Sequence, residues 1–309
     1  MPAADTAEYL NIMQTLSEIR RLLTSAGVKP SRRRGQCFLV DKNLLGKLLE
    51  TAEPCKEETV LEVGPGTGTL TEELLRRAGR VVAVELDRGL AALLRQRFAD
   101  AENLLIIHRD VLAGKHAIAG EVLDALGERA SLVSNLPYSI ATPLIAELLR
   151  CSWRAMGGSR EDCLLERMTF TVQKEVADRL AAEPGDGDYG PVSVLVRLLG
   201  DVNAGRVVPA SAFWPRPEVD GQIMRIDFDA EKAFLLADID ALADVLHACF
   251  SHRRKQLSSL LRQRLSRPDP RKLRHAVEQV DLDTTLRAGE ISPRQYRDIA
   301  NALTRNNGA

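Results

Sequence analysis

The chain has 309 residues, 45% hydrophobic and 28% charged, with a formal net charge of -1. That balance suits one large globular domain or two modest ones and excludes disordered, collagenous and coiled-coil chains. No apolar run approaches the ~20 residues of a membrane span, no basic-then-apolar leader opens the chain, and five cysteines (37, 55, 151, 163, 249) make no C-x-x-C pair. A cytoplasmic protein with reduced thiols, no membrane contact and no metal is expected.

In chain order, helical periodicity covers about residues 6–26. Short Val-, Leu- and Ile-rich runs then read as buried strands at Thr59–Val63, Arg80–Glu85, Leu104–Ile107, Ser131–Ser134 and Met168–Val172. Helical patterns separate them at Leu70–Arg77, Leu90–Phe98 and Thr142–Leu149. Such alternation builds a parallel sheet with helices on both faces, an α/β fold. Val219, Gly221 and Ile223 alternate with polar positions like a half-buried last strand. Beyond Asp227 the strand signal stops: Ala233–Leu246 and Ala248–Leu265 read as helices, and Ser292-Pro293 as the start of another. The expected domains are therefore 1–228, an α/β unit, and 229–309, a small helical unit.

The net charge conceals its distribution. Ile19–Cys37 holds Arg20, Arg21, Lys29, Arg32, Arg33 and Arg34 with no acid, and Ala248–His275 holds nine basic residues against Asp269 alone. Two basic blocks on an acidic body suit a polyanion gripped at chosen places; for either block alone a solvated helix face is the competing explanation.

Three strand ends carry acidic or glycine-rich signals. Val60-Leu61-Glu62-Val63-Gly64-Pro65-Gly66-Thr67-Gly68 runs from strand through a glycine turn into a helix, at the sheet edge where open α/β folds bind ligands. Glu85 ends the next strand, where an acid can accept from both hydroxyls of a ribose, a feature of NAD and S-adenosylmethionine (SAM) sites alike. Asp110 follows the third strand, placed to accept from an adenine amino group. The fourth strand ends in Ser134-Asn135-Leu136-Pro137-Tyr138. An exocyclic base nitrogen is a poor nucleophile, because its lone pair is delocalised into the ring. The Asn135 side-chain oxygen and the Leu136 carbonyl can each accept one of its N–H bonds and favour rehybridisation. Pro137 stiffens the turn, and Tyr138 offers a ring face to an extruded base. A dinucleotide-dependent dehydrogenase would give this motif no role.

Gly35-Gln36-Cys37-Phe38-Leu39-Val40-Asp41, the Glu62–Gly68 turn, Asn135-Leu136-Pro137-Tyr138, Gln173-Lys174-Glu175-Val176-Ala177 and Phe213-Trp214-Pro215-Arg216-Pro217-Glu218-Val219-Asp220 occur in one order. In these five motifs the chain, from about Leu22 onward, resembles the ribosomal RNA adenine dimethyltransferases, specifically the small-subunit branch. The resemblance implies a class I, Rossmann-like SAM-dependent methyltransferase sheet with a helical C-terminal RNA-binding domain. It also implies N6,N6-dimethylation of two adjacent adenosines in the 3′-terminal hairpin of small-subunit (16S) rRNA during ribosome biogenesis. Carried over by motif, SAM contacts fall on Cys37, Leu39, Gly64, Gly66, Glu85, Asp110 and Asn135. The catalytic set is Asn135, Leu136, Pro137, Tyr138 and Phe213, the last in the place of an aromatic that stacks on the target adenine, although a packed core Phe fits the same sequence. RNA contacts are expected at Arg32, Arg33, Arg34, Arg253, Arg254, Lys255 and Arg262. The partner implied is small-subunit rRNA or a preassembled small subunit, met by a monomer. Two departures stand out: Cys37 replaces the family's usual Asn or His, and the segment Cys151–Arg167 is longer than usual. The alternatives are a large-subunit, antibiotic-resistance dimethyltransferase and an inactive RNA-binding assembly factor.

Overall fold

The computed structural model describes residues 14–30, 35–114, 117–262 and 267–305. Arg32, Arg33, Arg34 and the first part of the expected N-terminal helix lie outside them. The chain forms two units, one comprising the chain up to Ala177 with Asn203–Ile226, the other Asp178–Val202 with Asp227 onward.

The first unit opens with α1 (Leu16–Ser25), started by a Thr15–Glu18 capping box. Its apolar residues Ile19 and Leu23 pack on Leu90 and Leu93. β1 (Phe38–Leu39) follows, then α2 (Lys42–Ala52) under an Asp41 cap. Strands and helices then alternate: β2 (Thr59–Val63), α3 (Thr69–Arg77), β3 (Arg80–Glu85), α4 (Arg88–Arg97), β4 (Leu104–His108), α5 (Gly120–Leu126), β5 (Arg129–Asn135), α6 (Ala141–Met156) and β6 (Leu164–Gln173). These five strands pair in parallel in the order β4-β3-β2-β5-β6. Val60, Leu61, Val81, Val82 and Leu132 are wholly buried, because helices cover both faces. Strand order reverses between β2 and β5, which opens a crevice at their C-terminal ends.

After α7 (Lys174–Ala181) and α8 (Pro191–Leu199), β7 (Gly200–Val208) and β9 (Gly221–Phe228) complete a seven-stranded sheet ending β6-β9-β7. The short β8 (Phe213–Trp214) pairs antiparallel with β1. The sequence reading differs at this end. β9 is an inner, largely buried strand, and the edge belongs to β7, whose exposed stretch 203–207 carries no apolar alternation. The segment Cys151–Arg167 is absorbed by the last turns of α6, a loop and the start of β6. The loop is tied by Asp162, which accepts from Ser159 Oγ at 2.8 Å and Arg154 Nε at 3.1 Å.

The second unit is helical: α9 (Ala230–Phe234), α10 (Ile239–Phe250), α11 (Leu257–Leu260), α12 (Pro270–Gln279) and α13 (Pro293–Arg305) join α8. The helix read at Ala233–Leu246 begins instead at Ile239, since the Asp238 carboxylate accepts from the Asp240 and Ala241 N–H groups as a fresh N-cap. The one read at Ala248–Leu265 is broken: α10 ends at Phe250, turns follow, and the chain is helical again at Leu257–Leu260. Ser292 caps α13 as its sequence suggests, accepting from Gln295 N. Asp178–Val202, which the sequence reading assigned to the first domain, belongs here because Tyr189 is buried in this core. Its hydroxyl donates to the Ile291 carbonyl at 3.0 Å, and its ring lies 6.1 Å from Phe250, which stacks on Tyr296.

Candidate active site

The crevice holds a cavity of about 260 Å³ lined by Cys37, Leu39, Gly64, Gly66, Glu85, Asp110, Asn135 and Pro137, among others. The turn after β2 forms its floor. Gly64 and Gly66 have φ of +71° and +62°, a region that side chains disfavour. A Cβ on Gly64 would sit 2.9 Å from the Pro137 ring, and one on Gly66 2.9 Å from the Phe38 ring. Behind the turn, the Thr67 carbonyl accepts from Arg97 Nη1 at 2.6 Å and Gln14 Nε2 at 3.1 Å.

Beneath it lies Glu62, whose carboxyl oxygen accepts from the Thr71 hydroxyl at 2.7 Å. Burial pushes its carboxyl up to about 8; the Thr71 hydrogen bond opposes the rise and the nearby Glu85 adds to it. Glu85, 5% exposed, ends β3 and accepts from Gly66 N at 3.2 Å and Asp87 N at 2.8 Å. Burial raises its pKa, and the two N–H groups partly offset that. Asp110 is exposed at the next strand end, one oxygen accepting from Leu112 N at 3.0 Å.

Asn135 closes the far side. Its Nδ2 donates to the Cys37 carbonyl at 2.9 Å, while its Oδ1 accepts from the Thr171 hydroxyl. That contact comes from the Cys37 backbone and does not depend on the side chain there. Leu136 is buried, and its N–H donates to the Thr171 carbonyl at 3.2 Å. Tyr138 is half-buried, its hydroxyl shut from solvent with no hydrogen bond among the described residues, and that burial raises its pKa.

Phe213 does not reach the cavity. It is 3% exposed, paired with Leu39 across β1–β8 and packed in the core with Leu45, Leu48 and Val208. Phe38 and Trp214 instead stack at 6.4 Å, with the Arg20 guanidinium 5.1 Å from the Trp214 ring. Sequence reading missed Phe38, Thr171, Arg97 and Gln14 as supports of the site. A stacking signal for Phe38 was present in Gln36-Cys37-Phe38-Leu39; the others depend on tertiary register. In the second unit Arg254, Lys255 and Arg262 are exposed, whereas Arg253 Nη2 donates to the Asp186 carbonyl at 3.0 Å. Among the described residues no group of three or more His, Cys, Asp or Glu is placed to hold a metal ion, and no helix is long and apolar enough to cross a membrane.

Two glycines that must lack a Cβ, a buried acid at the second strand end and an acid at the third make a cradle that fits SAM. Fold and site together define a class I, SAM-dependent methyltransferase. The sequence pattern of ribosomal RNA adenine dimethylases matches residues 28–305, and the chain belongs to that family. It is 33% identical over 294 residues to the ribosomal RNA small subunit methyltransferase A of Geobacillus thermodenitrificans, covering 94% of this chain and 96% of the relative. The protein of that name from Clostridium acetobutylicum is 33% identical over 289 residues, covering 93% and 98%. A dimethyladenosine transferase from Plasmodium falciparum shares the fold (TM-score 0.67, 22% identity, 87% of this chain and 98% of that one). So does the 23S rRNA methyltransferase ErmE (TM-score 0.57, 25% identity, 86% and 99%).

Proposed function

We propose that this protein dimethylates N6 of two adjacent adenosines in the 3′-terminal hairpin of small-subunit rRNA. The observation that carries the proposal is the fixed Asn135 amide at the wall of the cavity that Gly64, Gly66 and Glu85 shape. SAM, when bound, supplies an electrophilic methyl group. Gly64 and Gly66 let the backbone approach it, Glu85 accepts from its ribose and Asp110 from its adenine. Asn135 Oδ1 and the Leu136 carbonyl accept from the amine of the target base, holding its nitrogen toward the cavity. Pro137 stiffens that turn, and the Tyr138 ring supplies a stacking face. Positioning dominates the rate, since the electrophile arrives ready-made, and the alkylated nitrogen is acidic enough to lose its proton to water.

The bacterial relatives at 33% identity over most of both chains support the small-subunit reading over the large-subunit one. The proposed partner is free rRNA or a preassembled small subunit in the cytoplasm, gripped through Arg254, Lys255 and Arg262 by a protein acting as a monomer. Incubation with labelled SAM and unmethylated small and large subunits, followed by nucleoside digestion of each rRNA, tests it: label is expected in N6,N6-dimethyladenosine of the small-subunit rRNA. Label confined to large-subunit rRNA would favour the resistance-type enzyme, and SAM binding without transfer to either RNA the inactive assembly factor.

A further inference from the structure

Thr171 plays no part in the reading above, yet it is 1% exposed and stands opposite Asn135 in the parallel register of β5 and β6. Its hydroxyl donates to Asn135 Oδ1. On the other side of the same amide, Asn135 Nδ2 donates to the Cys37 carbonyl at 2.9 Å. An asparagine amide has two broad orientations about its last torsion, with oxygen and nitrogen exchanged. Here chemistry chooses between them. A backbone carbonyl can only accept, so Nδ2 must face Cys37. Oδ1 then faces Thr171, whose hydroxyl must donate. One lone pair of Oδ1 is thereby taken and the other remains.

We propose that Thr171 is a positioning residue for methyl transfer: its hydroxyl, with the Cys37 carbonyl, locks the Asn135 amide so that the free lone pair of Oδ1 is presented to the exocyclic amine of the target base. The proposal rests on the reading that Asn135 accepts from that amine. The arrangement trades acceptor strength for orientation, because a donor on Oδ1 weakens it slightly as an acceptor while removing the rotation that would swing Nδ2, itself a donor, toward the substrate N–H. A β-branched threonine suits this role, since its χ1 is stiff in a strand.

Thr171→Val keeps the shape and removes the hydroxyl; Thr171→Ser keeps the hydroxyl. Single-turnover transfer to unmethylated small subunits, SAM titration by calorimetry, and the side-chain amide signals of asparagine-15N-labelled protein provide three readouts. For Thr171→Val, transfer is expected to slow about tenfold, the loss typical of one hydrogen bond. SAM affinity and the KM for RNA are expected to stay within about twofold, taking an unmoved binding site as well under one hydrogen bond's worth. The Asn135 amide signals lose their single, slowly exchanging environment, and Thr171→Ser recovers most of the rate. Wild-type turnover in Thr171→Val, no rescue by serine, or SAM affinity falling in step with rate would each overturn the proposal. Failure of the underlying reading looks different: Asn135→Ala itself then turns over normally. Failure of this proposal alone leaves Asn135→Ala inactive and Thr171→Val active.

Discussion

Asn135→Ala removes an acceptor aimed at the reacting amine while leaving the glycine turn and Glu85 untouched. It is expected to bind SAM nearly as wild type and to lose about 10²–10³-fold in transfer rate, the usual cost of deleting one preorganised polar contact. Calorimetry with single-turnover assays checks both halves, and near-normal turnover would remove Asn135 from its role. Glu62 makes a different kind of prediction. Its carboxyl is held up to about 8 in the folded protein, well above the 4.5 of an ordinary glutamate. Between those values the unfolded chain gives up this proton and the folded chain keeps it. Wild-type stability therefore falls as pH rises through that window, by up to about 1.4 kcal/mol per pH unit from this group. Glu62→Gln imitates the protonated acid and can still accept from Thr71. Its melting temperature relative to wild type is expected to climb steadily from pH 5 to 8. A fixed offset from the new amide protons leaves that slope readable; a flat difference would show that Glu62 is ionised in the fold.

At the scale of elements, the pairing of β1 with β8 turns the Phe213 side chain inward. Phe213→Leu is therefore expected to cost roughly 1–2 kcal/mol of stability, seen as a melting point a few degrees lower, with methyl transfer by the folded protein nearly unchanged. A normal melting point with a large loss of turnover would instead put this ring on the substrate. Much of the architecture is legible in the amino-acid order: glycine turns and acids at successive strand ends bring Gly64, Glu85, Asp110 and Asn135 around one cavity. What is not legible depends on pairing between distant segments. Phe213 next to Trp214 reads equally as a stacking or a core aromatic, and only the register Leu39↔Phe213 separates the two. Thr171 gains meaning only from its place opposite Asn135, in a ladder that shifts register near Ala130 and Ser131. β7 is hidden because an exposed edge strand needs no apolar face, and the break after Phe250 because turn residues there sit inside an otherwise helical composition.

For the whole molecule, the basic block in the helical unit divides in two. Arg253 is spent on the Asp186 carbonyl, whereas Arg254, Lys255 and Arg262 stand exposed. Replacing those three with Gln is expected to weaken RNA binding and flatten the plot of log affinity against log salt, since fewer phosphate contacts release fewer counterions. SAM affinity in the other unit stays as it is. Arg253→Gln alone is expected to lower stability more than the salt slope, and an unchanged slope in the triple variant would place the RNA elsewhere. Beneath all of this lies one claim, that the cavity and its Asn135 wall serve a pair of adenosines in small-subunit rRNA. Primer extension across both rRNAs, after incubating the protein and SAM with unmethylated ribosomal subunits, tests it most directly. Strong stops at two adjacent adenosines in the 3′-terminal hairpin of the small-subunit rRNA, absent with Asn135→Ala, are the predicted result; stops only in large-subunit rRNA, or none in either, would contradict it.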